Sequence, residues 1–306
     1  MNDLLIIGGG PAGSAAGVYA ARKRLKTVLI TEEFGGQSSV SADIQNFIGI
    51  PHVPGAELSK MFREHLEEYA DEVLEIVDGE RVEELKEVDG GFEAKTNKGN
   101  TYKAKAVLAA SGSRRRKLPA EGAERLDGKG VVYCASCDAP LFKDMDVVVV
   151  GGGNAGFESA QQLTEYAKSI LLLEMNDEFR ADPVTREKVL SHDKVTAKLE
   201  ATIKEIKGDK FVSSVVYEDK EGEHEIDVQG VFVEIGSIPN NDYIKDMVET
   251  NKIGEVVVDH KTQRASKEGI WAAGDLSDVL YKQNNISMGD GVKALEDIYI
   301  WIQKQK

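Results

Sequence analysis

Two glycine hexads, Gly8-Gly9-Gly10-Pro11-Ala12-Gly13 and Gly151-Gly152-Gly153-Asn154-Ala155-Gly156, constrain this chain more than any other feature. They share four glycines and one alanine in register. Each follows a short apolar run, Asp3–Ile7 or Asp146–Val150, and each leads into a helix-forming stretch, Ser14–Lys23 or Phe157–Ala167. A second apolar run follows each helix, at Thr27–Thr31 and Ile170–Leu173. Strand, glycine turn, helix and strand in that order start a Rossmann unit. In such a turn one glycine allows the tight bend, one lets a pyrophosphate approach the backbone, and one allows close helix–strand packing. A carboxylate some twenty residues on binds a ribose. Glu32, just past its strand, and Glu174 stand where that acid is expected. The candidate nucleotide-binding residues are therefore Gly8, Gly10, Gly13 and Glu32 in the first copy, with Gly151, Gly153, Gly156 and Glu174 in the second. A packing turn that binds nothing is the competing reading for each copy.

Between the hexads lie the chain's two cysteines, in Cys134-Ala135-Ser136-Cys137-Asp138. Two intervening residues let the sulfurs reach bonding distance, and a nearby helix start lowers a thiol's pKa. Asp138 is placed to move a proton to or from a departing thiolate. Half of a zinc site is one alternative, but zinc takes four ligands. No other cysteine exists, and His52, His65, His192, His224 and His260 are scattered without ligand spacing. Inert buried cysteines are the other alternative. A lone CxxC in a reducing compartment suits catalysis better than structure.

The remaining organisation is coarser. Leu58, Met61, Phe62, Leu66 and Tyr69 have helical spacing. Val73–Ala110 alternates, with glycine turns, and predicts a β-meander; Val195–Ile235 is similarly strand-rich. Breaks at 111–116 and 236–240 predict two domain crossings. The expected architecture is α/β, with an outer domain of 1–113 plus 242–306 and an inner domain of 114–241 inserted into it. Arg114-Arg115-Arg116, a basic cluster at the first break, reads as a solvated linker, with contact to an acidic partner or a nucleotide phosphate as the alternative. Glu57, Glu64, Glu67 and Glu68 read as a solvated helix face, and Trp271 and Trp301 as core or dimer contacts. A formal net charge of −15 argues against non-specific binding to nucleic acid or an anionic membrane. No stretch reaches the ~18 apolar residues of a membrane span, and no basic leader precedes Leu4, so a cytoplasmic setting is expected.

Seven motifs in order give a specific resemblance: Gly8–Gly13, Phe34-Gly35-Gly36-Gln37, Gln45-Asn46-Phe47, Tyr133-Cys134-x-x-Cys137-Asp138, Gly151–Gly156, Gly236-x-x-Pro239-Asn240 and Ala272-Ala273-Gly274-Asp275. The chain resembles the low-molecular-weight thioredoxin reductase family over essentially its whole length. It is also similar to the reductase core of the alkyl hydroperoxide reductase flavoprotein subunit. The resemblance implies two Rossmann-like dinucleotide-binding domains. FAD would be held in the outer one by the first finger, Glu32, Gly36, Gln37, Asn46, Asp275 and Gln283, with Gly289-Asp290-Gly291 opening a helix against the flavin. The inner domain would carry the nicotinamide nucleotide and the dithiol, with Cys137 facing the flavin and Cys134 attacking a thioredoxin or glutaredoxin-like partner. Rotation of that domain about 111–116 and 236–241 is implied, as is a homodimer.

One departure bears on the electron donor. Relatives that use NADPH carry a His-Arg-Arg run where this chain has Glu174-Met175-Asn176, and only the later Arg180 remains. A carboxylate accepts bonds from free ribose hydroxyls and repels a 2′-phosphate. NADH is therefore expected in preference to NADPH. A ferredoxin-dependent reductase without nicotinamide, or a flavin-bound redox sensor with little turnover, are the alternatives.

Overall fold

In the computed structural model, residues 1–41 and 43–305 are described. The chain divides into two compact units, Met1–Arg114 with Ile238–Lys306, and Arg115–Ser237.

The first unit starts with β1 (Asn2–Gly9), α1 (Pro11–Arg22) and β2 (Thr27–Phe34). A 3-10 turn over Gly36–Val40 leads to α2 (Gly55–Ala70), then β3 (Leu74–Asp78), β4 (Val82–Val88), β5 (Gly91–Thr96) and β6 (Thr101–Ala109). Strands β2 and β6 flank β1, both parallel to it, and β3 continues the sheet beyond β2. The meander expected over 73–110 is therefore confined to the antiparallel run β4–β5–β6. Its outer members β3 and β6 belong to the parallel sheet. β6 serves both purposes because it is long: its first residues pair with β5, its last with β1.

β7 (Ser113–Arg115) makes the first crossing. The second unit holds β8 (Val131–Val132), α3 (Ala135–Asp138), β9 (Asp146–Val150), α4 (Asn154–Leu163), β10 (Ser169–Leu173), α5 (Pro183–Leu190), β11 (Val195–Lys198), β12 (Thr202–Gly208), β13 (Val212–Asp219), β14 (Gly222–Asp227) and β15 (Gly230–Val233). β11-β10-β9-β15-β8 form a parallel sheet, and β12-β13-β14 a separate antiparallel one. β16 (Ser237–Pro239) makes the return crossing and pairs with β7 in a two-stranded ribbon. The first unit is completed by β17 (Val258–Asp259), β18 (Arg264–Ala265), β19 (Ile270–Ala272) and α6 (Asn284–Gln305), with β19 parallel to β6.

Both central strands are buried on two faces, which is why they read as unbroken apolar runs. Leu4 and Ile6 pack with α1 and α6 through Ala12, Ala16, Leu295 and Ile298, while Leu5 and Ile7 pack with Val28, Phe92 and Ile244 on the other face. In the second unit Val147 and Val149 face Phe157 and Ala160 of α4, and Val148 and Val150 face Ile206 and Val215 of the antiparallel sheet. On α2, Leu58, Phe62 and Leu66 are buried, whereas Met61 and Tyr69 are exposed. Burial follows the i, i+4 row, and the two offset positions fall outside it. The glutamates of α2 are exposed. Trp271 is in the core, with Trp301 packed edge-on against it at 5.6 Å.

Ile298 is fully buried where α6 meets the first sheet. Ile298→Ala should cost about 2–5 kcal/mol in chemical denaturation of the full chain. A midpoint equal to that of the unaltered protein would contradict this packing.

Candidate functional site

Each glycine finger sits at the carboxyl end of the strand where the sheet order reverses, the usual place for a ligand in an open α/β sheet. β1 lies between β2 and β6, and β9 between β10 and β15. The two turns match in detail. Gly8 has φ +115°, and a Cβ there would lie 2.3 Å from the Ala110 carbonyl oxygen; Gly151 has φ +119°, and its Cβ would lie 2.5 Å from the Glu234 carbonyl oxygen. A Cβ on Gly13 would lie 1.9 Å from the Gly8 oxygen, and one on Gly156 would lie 1.8 Å from the Gly151 oxygen. Around Gly10 and Gly153, in contrast, a Cβ would meet nothing within 4 Å. The flanking glycines are closed by backbone, and the middle one of each turn faces open space. Helices α1 and α4 start there without a side-chain cap, so first-turn N–H groups remain for an anion. Both turns therefore fit a dinucleotide pyrophosphate.

Around the first finger, Gly36 (φ +55°) comes close to Gly10, with its Cβ position 3.6 Å from the Gly10 Cα. Gln37 donates through Nε2 to the Ser113 carbonyl oxygen. Asn46 Nδ2 donates to Gln283 Oε1 at 3.2 Å. Asp275 follows Gly274 (φ +68°) and accepts from Ser287 Oγ at 3.3 Å. A Cβ on Gly291 would lie 2.1 Å from the Ala12 oxygen, so α6 closes against the start of α1. Gly289-Asp290-Gly291 does not open that helix as expected. It lies inside α6, which begins at Asn284; Gly291 is required there because α1 approaches so closely, whereas a Cβ on Gly289 would meet nothing within 4 Å. Glu32 lies within β2 rather than past it, because β2 continues through an exposed end to Phe34. Its carboxylate is paired with Arg81 Nη1 at 3.2 Å.

At the second finger, Glu174 is buried, and its carboxylate is held by its own loop. Gly152 N donates to Oε2 at 2.6 Å and Asn176 N to Oε1 at 2.8 Å. Arg180 N donates to the Gly152 oxygen at 2.9 Å, and the Arg180 side chain is exposed. Helix α4 starts at Asn154, three residues before the expected Phe157. The glycine turn is already helical at its last residues.

Cys134 and Cys137 are joined as a disulfide, with Cα atoms 5.3 Å apart. Cys134 caps α3, and its carbonyl accepts from Cys137 N at 3.1 Å and Asp138 N at 3.0 Å. Ala135 and Ala139 anchor this turn in the same cluster as Phe157 and Ala160 of α4. Ser136 Oγ donates to Gln162 of α4 at 3.1 Å. Burial pushes the Asp138 carboxyl up to about 6, opposed by the charge of Arg115. A protonated donor next to the cysteine pair is thus available up to about pH 6, well above the ordinary carboxylate range.

Arg115 does not lie in a solvated linker, as its basic run suggests. It is half-buried, with its guanidinium 5.2 Å from the Tyr133 ring centre, and its charge acts on Asp127, Asp138 and Glu234. β7 alternates outward and inward, so of the three arginines only Arg115 points in. Period-2 reading of that run would have found it. Glu234 had no such signal. His224 is not isolated either: its Nε2 lies 2.8 Å from Asp219, beside Glu221, with Lys198 paired to Asp219.

Comparison with known proteins adds a family. Residues 2–291 match the family described as pyridine nucleotide-disulphide oxidoreductase. The chain is 40% identical over 294 residues to a Bacillus subtilis (strain 168) protein named NADH dehydrogenase, covering 95% of this chain and 57% of that one. It is 39% identical over 296 residues to a Pseudomonas putida protein named as a subunit of alkyl hydroperoxide reductase, covering 95% of this chain and 56% of that one. The chain thus spans somewhat over half the length of these relatives. The crystal structure of thioredoxin reductase from Streptococcus pyogenes MGAS5005 superposes with a TM-score of 0.91 at 34% identity, covering 99% of both chains. Among the described residues no helix is long and apolar enough to cross a membrane. With two matched glycine fingers, a CxxC disulfide between them and this full-length likeness, the chain belongs to the pyridine nucleotide-disulphide oxidoreductase family and has the thioredoxin reductase fold.

Proposed function

We propose that this chain is a flavin-dependent disulfide reductase that takes electrons from NADH in preference to NADPH and delivers them to a thioredoxin or glutaredoxin-like protein. The observation that carries the reading is the Cys134–Cys137 disulfide, on a turn packed against the finger helix of a nucleotide-type unit, with a half-buried acid, Asp138, in the same turn. FAD would be held by the first finger with Glu32, Gly36, Gln37, Asn46, Asp275 and Gln283, and would supply a two-electron carrier between a nicotinamide and a disulfide. NADH would be held by Gly151, Gly153, Gly156, Glu174 and Arg180. The open space at Gly153 supports a nucleotide donor over an electron-transfer protein.

The chain's own residues then perform thiol–disulfide exchange. With the pair reduced, the Cys134 thiolate attacks one sulfur of the carrier's disulfide and a carrier thiolate leaves. Cys137 attacks the mixed disulfide, re-forming the Cys134–Cys137 bond and releasing the second carrier thiolate. Two electrons pass to the carrier, and the departing thiolates take up protons. Asp138, protonated below about 6, is placed to give one.

The donor preference rests on Glu174. Its carboxylate is buried at the end of β10 and pinned to Gly152, so a 2′-phosphate brought to this loop would meet a fixed negative charge. In anaerobic stopped-flow titration of the flavin-loaded protein, NADH should bleach the flavin at concentrations roughly tenfold or more below NADPH. Failure of NADH to bleach it would end the NADH reading. Cys134→Ser should abolish carrier reduction while leaving flavin reduction by NADH intact; undiminished turnover would remove the dithiol relay. Asp138→Asn should slow the carrier step by about 10²-fold. Because the protonated carboxyl donates, the wild-type carrier step should decline as pH rises through about 6, and that limb should be absent from the variant's single-turnover profile.

A further inference from the structure

Glu234 is a half-buried acid that the relay above does not use. It follows β15, where its carbonyl oxygen closes against Gly151. The matching place in the first unit, after β6 and against Gly8, holds Ala110. The turn needs a close backbone at this point and no carboxyl, so the acid is an addition to the fold.

Its side chain joins two elements. Ser159 Oγ, on α4, donates to Glu234 Oε1 at 2.6 Å. The backbone N–H of Ala135, the residue after Cys134, favours the ionised form. The carboxyl is thus bonded to the second finger's helix, and that helix is itself joined to the CxxC turn by the Ser136–Gln162 bond. Arg115 from β7 favours the charged form and Glu158 from α4 opposes it. The chain neighbours of Glu234, Val233 and Ile235, are apolar, and the CxxC turn carries Asp138 and the two cysteines. Burial dominates and pushes the Glu234 carboxyl up to about 7, so it changes charge in the range where a reductase works.

We propose that Glu234 is a positioning residue for the dithiol: bonded through Ser159 to the helix that carries the CxxC turn, it makes the reactivity of the reduced thiols depend on its own protonation. The inference rests on the dithiol of the proposed function. A negative charge near a thiolate disfavours it, and the N–H groups at the start of such a turn would otherwise stabilise it. Ionised Glu234 therefore restrains Cys134 and Cys137, and protonation releases them.

The test uses full-length protein, reduced with dithiothreitol and desalted, with iodoacetamide trapping followed at each cysteine by peptide mass spectrometry. The Glu234→Gln rate divided by the wild-type rate should be near one at about pH 5.5, and should rise at least about threefold by about pH 8.5. Glu234→Asp should restore the wild-type pH dependence. Ser159→Ala, which frees the carboxyl from α4, should move the ratio the same way by a smaller factor, and it decides the matter if Glu234→Gln does not fold. A ratio that is the same at both pH values means a purely structural role and overturns the proposal. Carrier reduction is measured in parallel. Its absence in the wild type would remove the reductase reading and leave the alkylation ratios standing, so the two fail separately.

Discussion

A backbone carbonyl occupying the place of a missing side chain holds this structure together at two points. The Gly8 oxygen sits where a Cβ of Gly13 would be, and the Gly151 oxygen sits where a Cβ of Gly156 would be. No side chain fits at either contact, and no longer turn would seat α1 on β1 or α4 on β9 so closely. The same contact aims the first-turn N–H groups of each helix outward, past an unobstructed middle glycine. The contact that seats the helix is thus also the one that leaves its N–H groups open, and this geometric solution is used twice.

The two copies share this solution and differ in what surrounds it. The first is enclosed by α6, whose Gly291 packs on Ala12, and by the Gly36 and Asp275 turns. The second has Ala135 and Ala139 of the CxxC turn in one hydrophobic cluster with the finger helix α4. Its acids are accordingly shifted: burial raises Asp138 and Glu234, and one half-buried guanidinium, Arg115, tempers both. Desolvation wins over the single counter-charge because that charge is shared among several carboxyls and is itself partly solvated. The result is two carboxyls with raised pKa values, one of them, Asp138, directly after the second cysteine, which suits proton-coupled thiol exchange.

Strands are the most legible elements. Asp146–Val150 is β9 to the residue, because an unbroken β-branched run bounded by a polar residue and a glycine has few other solutions. Helix starts are legible to within three residues, since the last residues of a glycine turn already have helical geometry. The Val73–Ala110 segment is legible only in part. Its alternation is genuine, but whether a strand joins a hairpin or a parallel sheet depends on neighbours distant in the chain, and β3 and β6 found theirs in β2 and β1. Met61 and Tyr69 fall outside the buried face of α2 for a related reason: spacing alone does not say how wide a stripe the partner surface will cover.

The residues of the site divide along the same line. Sequence alone determined the two glycine turns and the cysteine pair, and it singled out Glu32, Glu174 and Asp138 as candidates, because each depends on local spacing and on what a short stretch of backbone can do. Tertiary structure decided which acids became chemically distinctive. Glu32 faces solvent and pairs with Arg81, Glu174 is enclosed by its own loop, and Glu234 acquires Ser159 and Ala135 from elements far away in the chain. Arg115 likewise became a counter-charge only when β7 turned it toward Tyr133 and the CxxC turn. Burial and charge pairing are properties of neighbours in space, and a linear chain does not display them until it has packed.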